Sequence, residues 1–432
     1  MFPPDTAAGL AALRCQVRGA KGRNHYGVRV PPALSVLTRN KDFRNLFAAD
    51  LIGLGADWFV MIPLLTLLPH LTGTGVWGAF VLATDTGVTA LLLPYTGTVA
   101  DRLDRRKILI AADLSMAACA LALLLVRTSA TAWVALVAVG AIAVAKAFFA
   151  PAAQAALPNV VDREDLTSAN ALSGSAWGTM LVIGASLGGI ASEAFGPYPC
   201  FAFAAALLTM SAIQVWRVRR PLQAERETTP AHPFAAIAEA LRYIRGNPRV
   251  ASLVTVKSAV GLGNGVLTLF PVLAAYLGAG PLGTGLLFAA RGLGALVGPI
   301  VLRRVLTHRA WLLPGLALSM AAYGLAYIGV SMLTWFPLVL AGVVLAHLGA
   351  GGNWMMSNFV LQAEVPDALR GRVFATDFML ATLSVAASQL AVGAFVDHTD
   401  PRLLIAACGT VTLLYSAAWS AVSLRRPAPA AS

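Results

Sequence analysis

Apolar runs of about twenty residues recur from one end of this chain to the other, and that recurrence leaves few folds open. Twenty helical residues rise roughly 30 Å, the thickness of a bilayer's hydrocarbon core. Lipid offers a bare backbone no hydrogen-bond partner, so runs of this kind must be helical. The two-residue alternation of a membrane barrel is absent. The spacing predicts twelve spans, at 45–68, 76–99, 107–127, 131–157, 167–193, 199–217, 250–277, 282–303, 310–331, 335–363, 372–396 and 402–424. Only 12% of residues are charged and 58% are hydrophobic, whereas a soluble domain carries about 25% charged residues. The expected fold class is an all-α membrane protein.

The formal net charge of +12 would point to nucleic acid in a soluble protein. The placement of the cations gives another answer. They gather in the N-terminal tail, in the loop between spans two and three, in the middle loop, around Arg303, Arg304, Arg370 and Arg372, and at Arg425 and Arg426. The outer loops keep only Arg127 and Arg402. By the positive-inside rule both termini face the cytoplasm, and no nucleic-acid partner is expected. The first forty residues hold no apolar segment like that of a signal peptide.

The one long polar stretch, 218–249, divides the chain into two six-helix bundles, 45–217 and 250–424, flanked by a basic cytosolic tail (1–44) and a short C-terminal tail (425–432). Within the stretch, 233–245 reads as an amphipathic helix. Leu114-Ser115-Met116-Ala117-Ala118 recurs as Leu318-Ser319-Met320-Ala321-Ala322, and Gln154-Ala155-Ala156-Leu157-Pro158 as Gln362-Ala363-Glu364-Val365-Pro366. The two repeats have near-equal offsets and occupy matching places in each half. That argues for a parallel duplication and a pseudo-symmetric pair of bundles.

The sharpest local signal joins spans two and three: Gly97-Thr-Val-Ala-Asp101-Arg102-Leu-Asp104-Arg105-Arg106-Lys107. A basic stop signal alone would account for Arg105 to Lys107, but not for two aspartates among them. Here the chain is similar to the major facilitator superfamily, whose loop at this place runs Gly, three residues, Asp, a cation, any residue, Gly, then two cations. Gly97, Asp101, Arg102, Arg105 and Arg106 match; Asp104 replaces the second glycine. That replacement, with Gly55-Ala-Asp57-Trp58, Pro151-Ala-Ala-Gln154, Ala169-Asn170 and Arg370-Gly-Arg372, resembles the bacterial exporters that include enterobactin and macrolide-efflux transporters. The resemblance covers about 40–425. It implies the major facilitator fold, alternating access by rocking halves, a small-molecule substrate, a proton gradient as energy source with no cofactor, and residence as a monomer in a bacterial inner membrane. It also implies that Asp101 latches the helix starting near Arg372, with Arg102, Arg105 and Arg106 as its charge network. The second half lacks the motif, with Leu302 at the aspartate's counterpart. The exporter branch often has a Gly-Pro pair in span five; this chain has Gly184-Ala185. Gly184 and Gly188, and Gly294 and Gly298, are close-packing pairs, and spans five and eight pack together in the family fold.

A charge near the bilayer centre costs about 2.5–3.5 kcal/mol on insertion scales. Asp50, Asp57, Asp85, Lys146, Lys257 and Arg291 all fall inside spans. Each is either half of a packing ion pair or part of a coupling site or substrate cavity. Asp113 and Asp377 lie near the cytoplasmic surface and are assigned to the gate. Asn353 and Trp354 in span ten either line the cavity or serve helix packing. The six histidines and four cysteines form no metal-ligand spacing, and neither a nucleophile motif nor a nucleotide-binding loop occurs. These absences weigh against an enzyme and an ATP-driven pump. They leave an exporter of small amphipathic molecules, with a polar-solute uptake permease as the alternative.

Overall fold

The computed structural model describes residues 34–223, 233–302 and 311–424, except for the side chains at 94, 97–101, 233, 234, 236 and 368. Twelve helices in it are long and apolar enough to cross a membrane. They are α1 Lys41–Thr72, α2 Val76–Arg102, α3 Arg105–Ala122, α4 Ala132–Val160, α5 Leu166–Phe195 and α6 Pro197–Arg217 in the first half. The second half has α7 Pro248–Tyr276, α8 Gly280–Leu302, α9 Leu312–Ser331, α10 Phe336–Glu364, α11 Asp367–Gly393 and α12 Pro401–Ser423. The linker carries a further helix, Pro233–Gly246, which packs on α7 and α11 and touches α2.

Local chemistry sets the ends. Asn40 starts α1 by accepting from Phe43 N at 2.9 Å, so the span begins a turn earlier than the apolar run does. Asp104 starts α3, its carboxylate accepting from the backbone N–H of Arg106 and Lys107. This is a capping role that suits an acidic residue at a helix N-terminus. Gly73 ends α1 at φ 74°, in the left-handed region that glycine enters without strain. Span seven is not one continuous helix. After Gly263 it tightens into a buried 3-10 segment, Asn264–Leu269, then resumes as Phe270–Tyr276. Such a break is tolerated at membrane depth where protein surrounds it; the Gly265 N–H finds Ser388 Oγ at 2.9 Å.

The duplication is visible in the packing. In the first half α1 packs on α5 and α6, α2 on α4, and α3 on α4 and α6. In the second half α7 packs on α11 and α12, α8 on α10, and α9 on α10 and α12. Each contact in one half has its counterpart six helices later. The halves meet along α2–α11 and α5–α8, a pair of contacts that the same operation exchanges.

Small residues make these approaches possible, though not all of those expected. Gly184 and Gly188 face α1: a Cβ at Gly188 would lie 2.6 Å from the carbonyl oxygen of Trp58. Gly294 and Gly298 face α10 at Val344 and Leu348. The α5–α8 seam is built instead by Gly189 and Gly285, where a Cβ on Gly189 would sit 3.0 Å from the Gly285 Cα. One residue turns a helix by about 100°, so Gly188 and Gly189 serve different neighbours.

The two termini of the described chain lie at one end of the bundle, the terminus side. At the far side the halves are tied by Gly75 N–H donating to Asp397 Oδ1 at 2.5 Å and Leu282 N–H to Glu193 Oε2 at 3.4 Å. Midway, Thr86 Oγ1 donates to Gln389 Oε1 at 2.9 Å. On the terminus side, the linker helix holds α11 through Arg372 and Glu239 at 2.5 Å.

Candidate functional site

Three of the predicted in-span charges converge in the first half. Asp57 on α1, Asp85 on α2 and Lys146 on α4 are separated in sequence, but α4 is held against α2 where Gly140 faces Thr84. Lys146 Nζ donates to both oxygens of Asp57, at 3.2 and 3.1 Å. It lies 2.6 Å from Asp85 Oδ1 as an ion pair without hydrogen-bond alignment. The side chains keep 27% (Lys146), 22% (Asp57) and 23% (Asp85) exposure. Two carboxylates share one ammonium. The cluster therefore carries one surplus negative charge when all three groups are ionised, and one proton neutralises it.

Two further carboxylates lie toward the terminus side of the same half. Asp50 lines a cavity of about 70 Å³ with Phe47, Gln154 and Ser173. Asp113, expected in the gate, is instead fully buried; Ser211 Oγ donates to its Oδ2 at 2.7 Å, and its Oδ1 has no partner. It stands two turns deeper than Arg106 on nearly the same face of α3, where α6 packs and brings Ser211 to it.

The second half holds a different centre. Asp377 on α11, also expected in the gate, pairs with Lys257 on α7, and both side chains are sealed, at 1% and 2% exposure. Lys257 Nζ also donates to Asn358 Oδ1 at 2.7 Å and lies 4.8 Å from the Trp354 ring centroid. All the charge is matched. Trp354 is half-exposed and meets Phe378 edge-on at 5.7 Å between centroids. Asn353 points elsewhere, into the bundle, donating to Ser319 Oγ at 3.1 Å. Arg291 on α8 is not brought to either centre. Its guanidinium stands over the Trp177 ring of α5, 5.7 Å from the centroid.

At the loop motif, Arg105 Nη1 donates to the carbonyls of Ala155 (2.8 Å) and Leu222 (3.3 Å), and Arg106 Nη2 to that of Arg220 (3.1 Å). These arginines staple the start of α3 to the end of α4 and the start of the linker. Gly97 and Asp101 lie on the last turns of α2, but their side-chain positions fall outside the described residues, as do Arg303, Arg304, residues 1–33 of the N-terminal tail and the C-terminal tail. Arg102 is exposed at the end of the same helix.

Some polar contacts within the bundle had no counterpart in the sequence reading. Tyr323 Oη donates to Asn264 Oδ1 at 3.1 Å, and Tyr327 Oη shares a hydrogen bond with His347 Nε2 at 2.9 Å. Their only sequence signal is a polar tip inside an apolar run. Among the described residues no cluster of His, Cys, Asp and Glu could hold a metal ion.

A family model described as Major Facilitator Superfamily matches residues 51–376. The enterobactin exporter EntS of Salmonella typhi is 27% identical over 355 residues, covering 79% of this chain and 82% of the exporter. EntS of Escherichia coli O1:K1 / APEC is 26% identical over 354 residues, with the same coverage. Among solved structures, the nucleoside transporter NupG superposes with a TM-score of 0.71 at 14% identity, covering 89% of this chain and all of that one. A bacterial homolog of the human lysosomal transporter Spinster, in an inward-facing and unoccupied conformation, superposes with a TM-score of 0.67 at 15% identity, covering 92% and 99%. At those identities the structures speak for the fold alone.

Proposed function

This chain belongs to the Major Facilitator Superfamily, and from that premise we propose that it is a proton-coupled exporter of small amphipathic molecules, working by alternating access. The observation that carries the reading is the partly exposed Asp57–Lys146–Asp85 cluster. A lysine clamped between two carboxylates at mid-membrane has two simple states. With both carboxylates ionised, the cluster is anionic and strongly clamped. With one protonated, it is a neutral ion pair and one arm of the clamp is loosened. A proton thereby changes how α1, α2 and α4 are held together, and its release can be tied to the rearrangement of the halves along α2–α11 and α5–α8. The likeness to enterobactin exporters supports outward movement of substrate. The cation bias of the loops supports a plasma-membrane protein with both termini in the cytoplasm.

The test uses everted membrane vesicles carrying the chain, loaded by an applied proton gradient. Substrate accumulates in wild-type vesicles and collapses with the gradient. Asp57→Asn and Asp85→Asn each uncouple accumulation from the gradient. Accumulation that survives both substitutions breaks the assignment of coupling to this cluster. Movement only in right-side-out vesicles favours the uptake permease.

A further inference from the structure

Three cations lie within the spans, and two of them are answered by carboxylates: Lys146 by Asp57 and Asp85, Lys257 by Asp377. Arg291 is the exception. Among the described residues it has neither an ion pair nor a hydrogen bond, only the Trp177 ring beneath it. Its electrostatic neighbours are the Tyr323 and Tyr327 phenols and the His347 imidazole. These cannot serve as counter-charge. Tyr323 and Tyr327 already bond Asn264 and His347, and all three are buried. A guanidinium kept in a bilayer without an anion is costly, and a cation–π contact offsets only part of that.

Its location is as telling as its lack of a partner. Trp58 of α1 packs against Phe288 of α8 with ring centroids 5.2 Å apart, an aromatic contact between the halves. Arg291 comes one helical turn after Phe288, on the same face and on the terminus side of that contact. Trp177 belongs to the other half and is 51% exposed. The pair therefore straddles the α5–α8 seam, setting a half-exposed ring of one half under an unpaired guanidinium of the other.

We propose that Arg291 and Trp177 form the anion-recognising part of the substrate site, so that the exported molecules are aromatic amphiphiles bearing a carboxylate, sulfonate or similarly delocalised negative charge. This rests on the transporter reading above and names its substrate class. The guanidinium takes the anionic group through paired hydrogen bonds, while the substrate ring lies against Trp177. The two ends of the site are on different halves, so a bound anion joins them and rocking of the halves changes its grip.

The test reads fluorescence binding to the purified full chain in detergent, with two probes of one ring skeleton: anilinonaphthalene sulfonate, and phenylnaphthylamine, which lacks the sulfonate. Wild type is expected to prefer the sulfonate by about ten-fold or more. Arg291→Gln removes that preference and leaves affinity for the neutral probe within about two-fold. Arg291→Lys retains part of it, because the charge stays and the planar fork is lost. Trp177→Ala weakens both probes together. Equal affinity of wild type for the two probes overturns the proposal, as does a preference that survives Arg291→Gln. Should Arg291→Gln fail to elute as a folded species, Arg291→Lys decides: an unchanged preference overturns the assignment, a reduced one upholds it. No gradient enters this assay. Anion-selective binding without gradient-driven accumulation in vesicles would therefore uphold the site while breaking the coupling reading, and the converse result would do the reverse.

Discussion

The two halves share one packing scheme and carry opposite electrostatic designs. In the first half Lys146 is shared by two carboxylates at 22–23% exposure. In the second, Lys257 and Asp377 are matched one to one and closed off. A sealed, balanced pair has no reason to exchange protons and fixes α7 against α11. A partly exposed, unbalanced cluster can exchange them. Duplication has preserved the helix contacts, which depend on small residues and shape, and has left the charges free to diverge. Arg291 adds a positive charge to the second half where the first half's cluster is negative. In the scheme proposed above, the proton's site lies within the first half and the substrate's anion site spans the seam.

The largest effect that would test this contrast is on stability. Lys257→Met leaves Asp377 buried and uncompensated, at an expected cost of about 3–5 kcal/mol. The double variant Lys257→Met with Asp377→Leu recovers most of it, as thermal unfolding in detergent would show. If the single variant unfolds like wild type, the second-half pair is not the brace described here. Next comes Lys146→Met, which removes the clamp. Gradient-driven accumulation is expected to fall by about ten-fold or more, with a loss of unfolding temperature clearly smaller than that of Lys257→Met. Equal destabilisation by the two would erase the distinction between the centres.

A third test addresses the seam through which the halves communicate. Gly285→Leu places a side chain against the Ala185 carbonyl and Gly189 backbone. Accumulation is expected to fall several-fold, with affinity for the aromatic probes less affected. The smallest effects are local. Asp104→Ala removes the cap of α3 and costs about 1 kcal/mol, whereas Asp104→Asn, which keeps an acceptor, costs only a few tenths. A loss of transport in Asp104→Asn beyond its loss of stability would mean that the charge, not the cap, matters at that loop.

The spans were legible because a bilayer reads hydrophobic length directly, and the division into halves because a polar linker interrupts it. The in-span charges were legible as a group for the same reason: each is an exception to an apolar run. Their grouping was not. Asp57, Asp85 and Lys146 come from three helices, and only the approach of α4 to α2 joins them. Asp113 and Asp377 show the same division in detail. Depth along a helix can be counted from the sequence, and it suggested the gate; the azimuth that turns both carboxylates into the bundles comes from neighbouring helices. The glycine pairs repeat the lesson, since Gly188 and Gly189 belong to different interfaces.

The sequence by itself determined the number of crossings, the polar linker between the halves and the list of residues too expensive to be incidental, because water, lipid and backbone hydrogen bonding act on each segment separately. Which of those residues meet, which are sealed, which stay half-open and which one lacks a partner was decided only by the tertiary structure. Those outcomes depend on rotations of about 100° per residue and on contacts between segments hundreds of residues apart, which no single segment encodes.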